Sequence, residues 1–284
     1  MFKLIVNADD FGLHSAVNAA VIDGHRKGII TSTSLLAGGE AFSEAVSMAK
    51  NNPKLGIGVH IALVGGLKPV CNPAEVPSLL TSEGVFPETY IDFMKRIYTG
   101  KINYSELRKE IHAQMERIME SGLHVTHIDG HQHMHVLPTV LPIVIEQAKQ
   151  YGINAIRIPD ESSLFVNYMY SPVRLLGKVG LSTVAAKARP TIRDNGMYST
   201  QYFWGMVNGG HINQKNLMGI LKSVSKKSGT HELMIHPGLN NTLLGNQYKW
   251  GYHWEDELQA VCSNHTHLYI RQHNIELINY GDLI

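Results

Sequence analysis

The chain has 284 residues, 44% of them hydrophobic and 17% charged, with a formal net charge of +1. That balance excludes a disordered chain and leaves no basic excess to attract nucleic acid or an anionic membrane. The length fits one α/β-barrel domain, 1–284, with a sizeable core.

The predicted elements alternate. Phe2 to Ala8 reads as a buried strand, and Ser15 to Lys27 as a helix from its apolar spacing at Ala16, Val17, Ala20 and Val21. Ser34 to Ala37 is a strand, Ala41 to Lys50 a helix stopped before Pro53, and Leu55 to Leu63 a third strand. This β-α-β-α-β order is the pattern of a parallel sheet with helices outside it. The pattern pauses from Val64 to Asn103, a loop excursion with Gly65-Gly66, several prolines and a short helix at Tyr90 to Tyr98. Tyr104 to Ser121 is the clearest helix, with Leu107, Ile111, Met115, Ile118 and Met119 on one stripe and Gly122 behind it. His124 to Asp129 is a strand, Leu137 to Tyr151 a helix that tolerates Pro138 in its first turn, and Ala155 to Ile158 a strand. A second excursion, Asp160 to Gly196, is helical between Val173 and Ala188. Strands at Tyr202 to Trp204, Glu232 to Ile235 and Glu276 to Ile278 follow, with helices at Asn213 to Ser225 and Glu255 to Val261. The fold class is α/β: a single-domain, deformed (β/α) TIM-like barrel with two long loop excursions.

Met1 to Val6 is too short for the apolar region of a leader, and Asp9-Asp10 follow at once. Pro138, Pro142 and Glu146 interrupt the most apolar stretch, so no membrane span is expected and the cytoplasm is the default location. Cys71 and Cys262 are too few for a disulfide framework.

The 16 histidines are the unusual count, because imidazole is the commonest metal ligand and the near-neutral acid–base group. They concentrate with acids at the C-terminal ends of predicted strands: Asn7-Ala8-Asp9-Asp10, then His60, then His127 to His135, then His236-Pro237-Gly238. In a βα barrel those ends share one mouth, where active sites are built. Asp9 and Asp10, adjacent on a strand, point to opposite sides, so one is free for a metal and the other for a water or reacting proton; a solvated turn is the plain alternative. His60 alone reads equally as a hydrogen-bonded structural residue. His127, Asp129, His131, His133 and His135 share one side parity, and a one-sided imidazole row is a metal signal, since each ring has two nitrogens to satisfy. Gly130 ends that strand, so His133 and His135 turn toward substrate, toward a supporting contact or toward the following helix. Pro237 holds His236 extended at a strand end. Arg157 lies in a predicted strand and, if buried, needs a carboxylate partner; a site aspartate is the expected one. Tyr248, Trp250, Tyr252 and Trp254 form an alternating aromatic row, suited to sugar stacking, to packing or to an oligomer contact.

The runs NADDFG, GVHIAL and THIDGHQHMH and the late HPG together resemble the YdjC-like carbohydrate deacetylases, which include chitooligosaccharide deacetylases of the ChbG type. The resemblance spans Asn7 to Gly238. It implies a deformed barrel, one divalent metal ion described for the family as magnesium (Mg2+), removal of acetyl from N-acetylated oligosaccharides, and a homodimer. By motif position it makes Asp10, His60 and His131 the metal ligands, Asp9 the catalytic base and His236 the general acid. Asp129, His133 and Arg157 are then substrate contacts or supports behind the ligands. Two imidazoles and one carboxylate by themselves suit zinc (Zn2+), cobalt or manganese better than magnesium. Two other readings remain: an amidohydrolase-type metal hydrolase, which usually begins with an HxH pair where this chain has Asn7-Ala8-Asp9-Asp10, and a non-catalytic sugar-binding protein, which has no use for an acid beside the metal.

Overall fold

A computed structural model describes the protein over residues 1–161 and 172–283. The chain begins with β1 (Phe2–Phe11), α1 (Ser15–Lys27), β2 (Ser32–Leu35), α2 (Phe42–Lys50) and β3 (Gly56–Ile61). After two 3-10 turns come α3 (Tyr90–Tyr98), α4 (Tyr104–Glu120), β4 (Val125–Gly130), α5 (Leu141–Tyr151) and α6 (Pro172–Asp194). The chain then forms β5 (Tyr202–Trp204), α7 (Gln214–Val224), β6 (Gly229–Ile235), α8 (Asn241–Gln247), α9 (Trp254–Cys262), α10 (Asn264–Gln272) and β7 (Ile275–Leu277).

The strands pair in parallel in the order β4-β3-β2-β1-β6-β5. β1 is the hub: β6 runs along one edge, while β2 pairs with the C-terminal half of the other edge and β7 with its first residues. Both faces of such a strand are covered, so β1, β2 and β3 are buried nearly end to end. Beyond β4 the sheet thins to single bridges, Ile128 with Ile156 and Ala155 with Tyr198, and Tyr198 leads into β5 four residues on. The sheet therefore curls toward closure as a deformed TIM-like barrel, with its helices outside. The strand expected at Ala155 to Ile158 is reduced to those bridges.

Helix boundaries follow local chemistry. His14 Nδ1 accepts the Ala16 amide and starts α1. Asn103 Oδ1 caps Ser105 to start α4, whose buried stripe is Leu107, Ile111, Met115 and Ile118. α5 begins at Leu141 rather than Leu137, because Leu137 to Val140 forms a turn and it is Pro142 that occupies the first helical turn. α8 and α10 were absent from the expected elements. Their signals were local caps, Asn240 on the Leu243 amide and Ser263 on the Thr266 amide.

The first excursion is anchored to the barrel by α4. Buried Glu110 accepts the Val70 and Cys71 amides at 2.9 Å each, and Gln114 bonds both backbone groups of Ala62. The expected helix in the second excursion is α6; residues 162–171 of that excursion lie outside the described residues.

Candidate active site

The C-terminal ends of β1, β3, β4 and β6 carry the polar clusters to one mouth. At the end of β1 the strand alternation fails. Asp10 has φ 65°, in the left-handed region, and the pairing of β1 with β2 shifts between Ala8 and Phe11. The expectation that Asp9 and Asp10 diverge is therefore corrected. Both carboxylates, each about 2% exposed, reach the same cluster. A left-handed non-glycine residue is strained backbone, tolerated best by Asn and Asp.

Asp10 Oδ1 lies 3.0 Å from His131 Nδ1 and 3.3 Å from His60 Nε2. One donor atom from each of Asp10, His60 and His131 falls within 4.8 Å of the others, and all three residues are buried. The opposite nitrogen of His60, Nδ1, meets Asp129 Oδ1 at 2.7 Å. Burial opposes a charge on His60, but the Asp129 carboxylate and the contact with Asp10 outweigh it and push this imidazole up to about 10. Burial likewise opposes ionisation of Asp10, and the adjacent His131 and His60 nevertheless hold its carboxyl well below the ordinary range.

Behind these groups sits Arg157, fully buried. Its Nη1 and Nη2 grip Asp9 Oδ2 and Oδ1 at 2.7 Å each, its Nη2 also reaches Asp129 Oδ2 at 2.8 Å, and its Nε reaches Glu232 Oε1 at 2.7 Å. Asn7 Nδ2 and Ser34 Oγ complete the network, donating to Asp9 at 2.8 Å and Asp129 at 2.5 Å. Tyr280 donates its hydroxyl to Glu232. Burial leads in raising Glu232 to about 7, against the pull of Arg157 and Tyr280. Asp129 and Arg157 are thus sealed behind the site, where they orient His60 and Asp9. Ser34, Glu232 and Tyr280 were missed from sequence; the available signal was a glutamate directly before the apolar run Leu233 to Ile235 of β6.

The β4 row does not stay one-sided. The strand ends at Gly130, and Gln132 and His133 turn left-handed, with φ 48° and 61°. His131 stays with Asp10. His133 lines the cavity, and His135 Nε2 bonds the Arg157 carbonyl at 3.0 Å. His127, on the strand's own register, stacks on Tyr280 at 3.9 Å between ring centres. Burial leads in pushing His127 down to about 3 and His135 to about 4. These two rings are neutral core residues.

Asp9, His60, His131, His133 and His236 face one cavity of about 270 Å³, walled on its apolar side by Leu181, Met206, Val207 and Met234 and closed by Tyr252. His236 packs on Tyr252 with ring centres 4.7 Å apart. Its amide donates to buried Glu257 Oε2 at 2.5 Å, and its Nδ1 is 4.0 Å from the same oxygen. Burial leads in lowering His236 below the usual imidazole range.

The donor set fits a cation. Asp10 Oδ2, His60 Nε2 and His131 Nε2 are buried without a hydrogen-bond partner. Such orphaned atoms cost free energy unless something binds them. The excess of buried carboxylate over Arg157 is what drives His60 toward its protonated form, and a bound cation would take that role. The Asp129–His60 pair also matches the carboxylate–histidine support that fixes ligand tautomers in metal sites.

The sequence profile of the YdjC-like protein family matches residues 3–272. The chain belongs to the YdjC-like family. It is 29% identical over 281 residues to a carbohydrate deacetylase of Clostridium beijerinckii, covering 99% of this chain and all of that one. It is 30% identical over 283 residues to a carbohydrate deacetylase of Thermoanaerobacter pseudethanolicus, covering both chains in full. A crystal structure of an Enterococcus faecalis protein named for cellobiose-phosphate cleavage superposes with a TM-score of 0.79 and 27% identity, covering 99% of this chain and 98% of that one. Among the described residues, no helix is long and apolar enough to cross a membrane.

Proposed function

We propose that this YdjC-like protein is a metal-dependent carbohydrate N-deacetylase, hydrolysing the acetamide of N-acetylated oligosaccharides. The observation that carries the reading is the buried Asp10–His60–His131 cluster on the same cavity as a second carboxylate, Asp9, and a further imidazole, His236. The deacetylase relatives supply the substrate class.

Asp10, His60 and His131 would hold the ion. A divalent cation held there would polarise the amide carbonyl and lower the pKa of a water, so that a base can deprotonate it for attack. The chain's own groups handle the protons. Asp9 is the base: Oδ2 accepts one hydrogen bond, from Arg157, which leaves a lone pair for the proton of the attacking water. Arg157 and Asn7 fix the carboxylate's orientation, so none is lost on substrate binding. His236 is the acid. Burial opposes its protonated form, and the Asp9 and Asp10 carboxylates favour it. His236 delivers a proton to the amide nitrogen as the C–N bond breaks. The sugar leaves as an amine, acetate takes the water oxygen, and the proton that Asp9 took from the water passes to solvent. The apolar wall of Met206, Val207 and Met234 suits the acetyl methyl. Each proton transfer is worth about 10²–10⁴-fold in rate. The donor set favours zinc, cobalt or manganese, the family resemblance magnesium, and elemental analysis of the purified protein separates them.

The test is acetate release from N,N′-diacetylchitobiose before and after chelation. Release that stops with metal removal and returns on readdition is expected. Undiminished release from protein shown to be metal-free would overturn the mechanism.

A further inference from the structure

A second cavity, of about 220 Å³, opens beside the first. Its walls come from the turn after β1, the loop between β2 and α2, the first excursion, and the end of α8 with the loop that follows it. Trp250 stands between the two cavities. Its ring is 4.7 Å from that of His131, which faces the catalytic cavity, while Trp250 itself lines the second. The partition is thin at Gly65 too. That residue has φ 90°, and a Cβ there would lie 2.6 Å from His131 Nε2 and 3.5 Å from the Trp250 ring. Tyr248, Trp250 and Tyr252 run ring against ring, with centres 5.0 and 5.6 Å apart, from the second cavity back to the catalytic one.

The polar wall is unspent. Lys68, Glu88 and Lys249 line the cavity, are exposed, and make no hydrogen bond or ion pair through their side chains among the described residues. Glu40 faces the same space and accepts Gln247 Nε2 at 3.0 Å. Two acids and two lysines cancel. A net-neutral wall selects neither an anion such as phosphate nor a cation, but it offers donors and acceptors in equal measure. Ring faces beside balanced donors and acceptors are complementary to a neutral polyol ring, apolar on its C–H face and polar at its edge. Gly66 (φ 68°) keeps the floor bare, since a Cβ there would sit 2.7 Å from Glu88 Oε1.

We propose that this second cavity is a sugar-binding subsite for the pyranose next to the one being deacetylated, with Tyr248 and Trp250 as its stacking faces and Glu88 and Lys68 as its hydroxyl contacts. The proposal rests on the deacetylase reading for its substrate class. The subsite makes a disaccharide the smallest well-held substrate.

The test has two arms on the full-length, metal-loaded protein. In the first, calorimetry compares chitobiose, which has no acetyl to release, with glucosamine. The wild type is expected to bind the disaccharide at least tenfold more tightly, and Glu88→Ala and Tyr248→Ala to erase most of that advantage. Melting curves check both variants, and Glu88→Ala, an exposed change, preserves the test if loss of the Tyr248 ring unfolds the chain. In the second arm, acetate release gives the ratio of kcat/KM for N,N′-diacetylchitobiose over N-acetylglucosamine. The ratio is expected to fall about tenfold in the same variants. Equal affinity for one and two rings, or a preference unchanged in folded Glu88→Ala, overturns the subsite and leaves the deacetylase standing. If the wild type frees acetate from neither sugar, the deacetylase reading falls, and the calorimetric comparison still decides the subsite.

Discussion

Asn at position 129 keeps the shape of the side chain and removes its charge. Asp129 accepts at both oxygens: Oδ1 from His60 Nδ1 at 2.7 Å, Oδ2 from Ser34 Oγ at 2.5 Å and from Arg157 Nη2 at 2.8 Å. Asn has one acceptor oxygen. Its NH2 must therefore face either the His60 N–H or the Arg157 N–H, donor against donor. His60 loses the partner that fixes its tautomer and presents Nε2 to Asp10. Supporting carboxylates of this kind contribute 10–100-fold in metal affinity, so the dissociation constant should rise by about that factor, or about 1.4–2.7 kcal/mol. A frustrated buried donor adds about 1–3 kcal/mol of lost stability. The assay is competition with a chelator of known affinity, alongside a thermal melt. Acetate release at saturating metal should recover much of its activity in Asp129→Asn. Metal affinity within about twofold of wild type in a folded Asp129→Asn protein would refute the claim that Asp129 positions His60.

Asp9→Asn should retain the metal and lose at least about 100-fold in kcat, the scale of a lost base; acetate release near the wild-type rate removes Asp9 from that role. His236→Gln should lose a similar factor, with a smaller loss on substrates whose leaving group needs no proton, such as an acetate ester of a nitrophenol; equal losses on both would argue against an acid at that position. Metal-depleted protein should also melt at a lower temperature than the loaded form, because the ion binds only the folded cluster, and identical melts would show that nothing specific is held there. Acid stability offers an independent check. His127 is held neutral in the fold, down to about 3, while the unfolded chain protonates near 6.5. Its contribution is thus present above 6.5 and is lost as pH falls from there toward 3, at up to about 1.4 kcal/mol per pH unit. Glu232, raised to about 7 by burial, works in the opposite sense: its contribution is full below about 4.5 and fades as pH rises through 7. The difference in unfolding free energy between wild type and His127→Phe, followed by urea titration from pH 7 to pH 4.5, isolates the histidine. That difference should shift in the variant's favour with acidification, and a constant difference would contradict a buried neutral ring.

The parallel strands and their order of appearance were legible because continuous apolar runs ended in turn residues and helices with one apolar stripe lay between them. The convergence of the segments that carry Asp10, His60 and His131 was legible for a topological reason, since each lies at the C-terminal end of a parallel strand and all such ends share one mouth. The choice of these three residues came from the family resemblance. Position on a strand did not fix what each side chain touches. The parity of 127, 129, 131, 133 and 135 predicted a row, and the left-handed turn at Gln132 and His133 dispersed it. Asp9 and Asp10 were expected to diverge, and one positive φ sent both inward. Arg157 announced a buried cation, but its sharing among three carboxylates depends on pairings 28, 75 and 148 residues apart that no local pattern encodes, Asp129 to Arg157, Arg157 to Glu232 and Asp9 to Arg157. The strand expected at Ala155 to Ile158 is present only as single bridges to a neighbour on each side, Ile128 with Ile156 and Ala155 with Tyr198.

That single guanidinium also sets how the protein can change over time. Three acids from three different strands share one buried countercharge, so altering any of them unbalances the other two. Substitutions among Asp9, Asp129, Arg157 and Glu232 should be strongly non-additive and tolerated only in combination. The exposed rim around Lys68 and Glu88 carries no such debt to its neighbours, since solvent screens each charge there separately. Positions on that rim can therefore change one at a time, whereas the four buried residues can change only together.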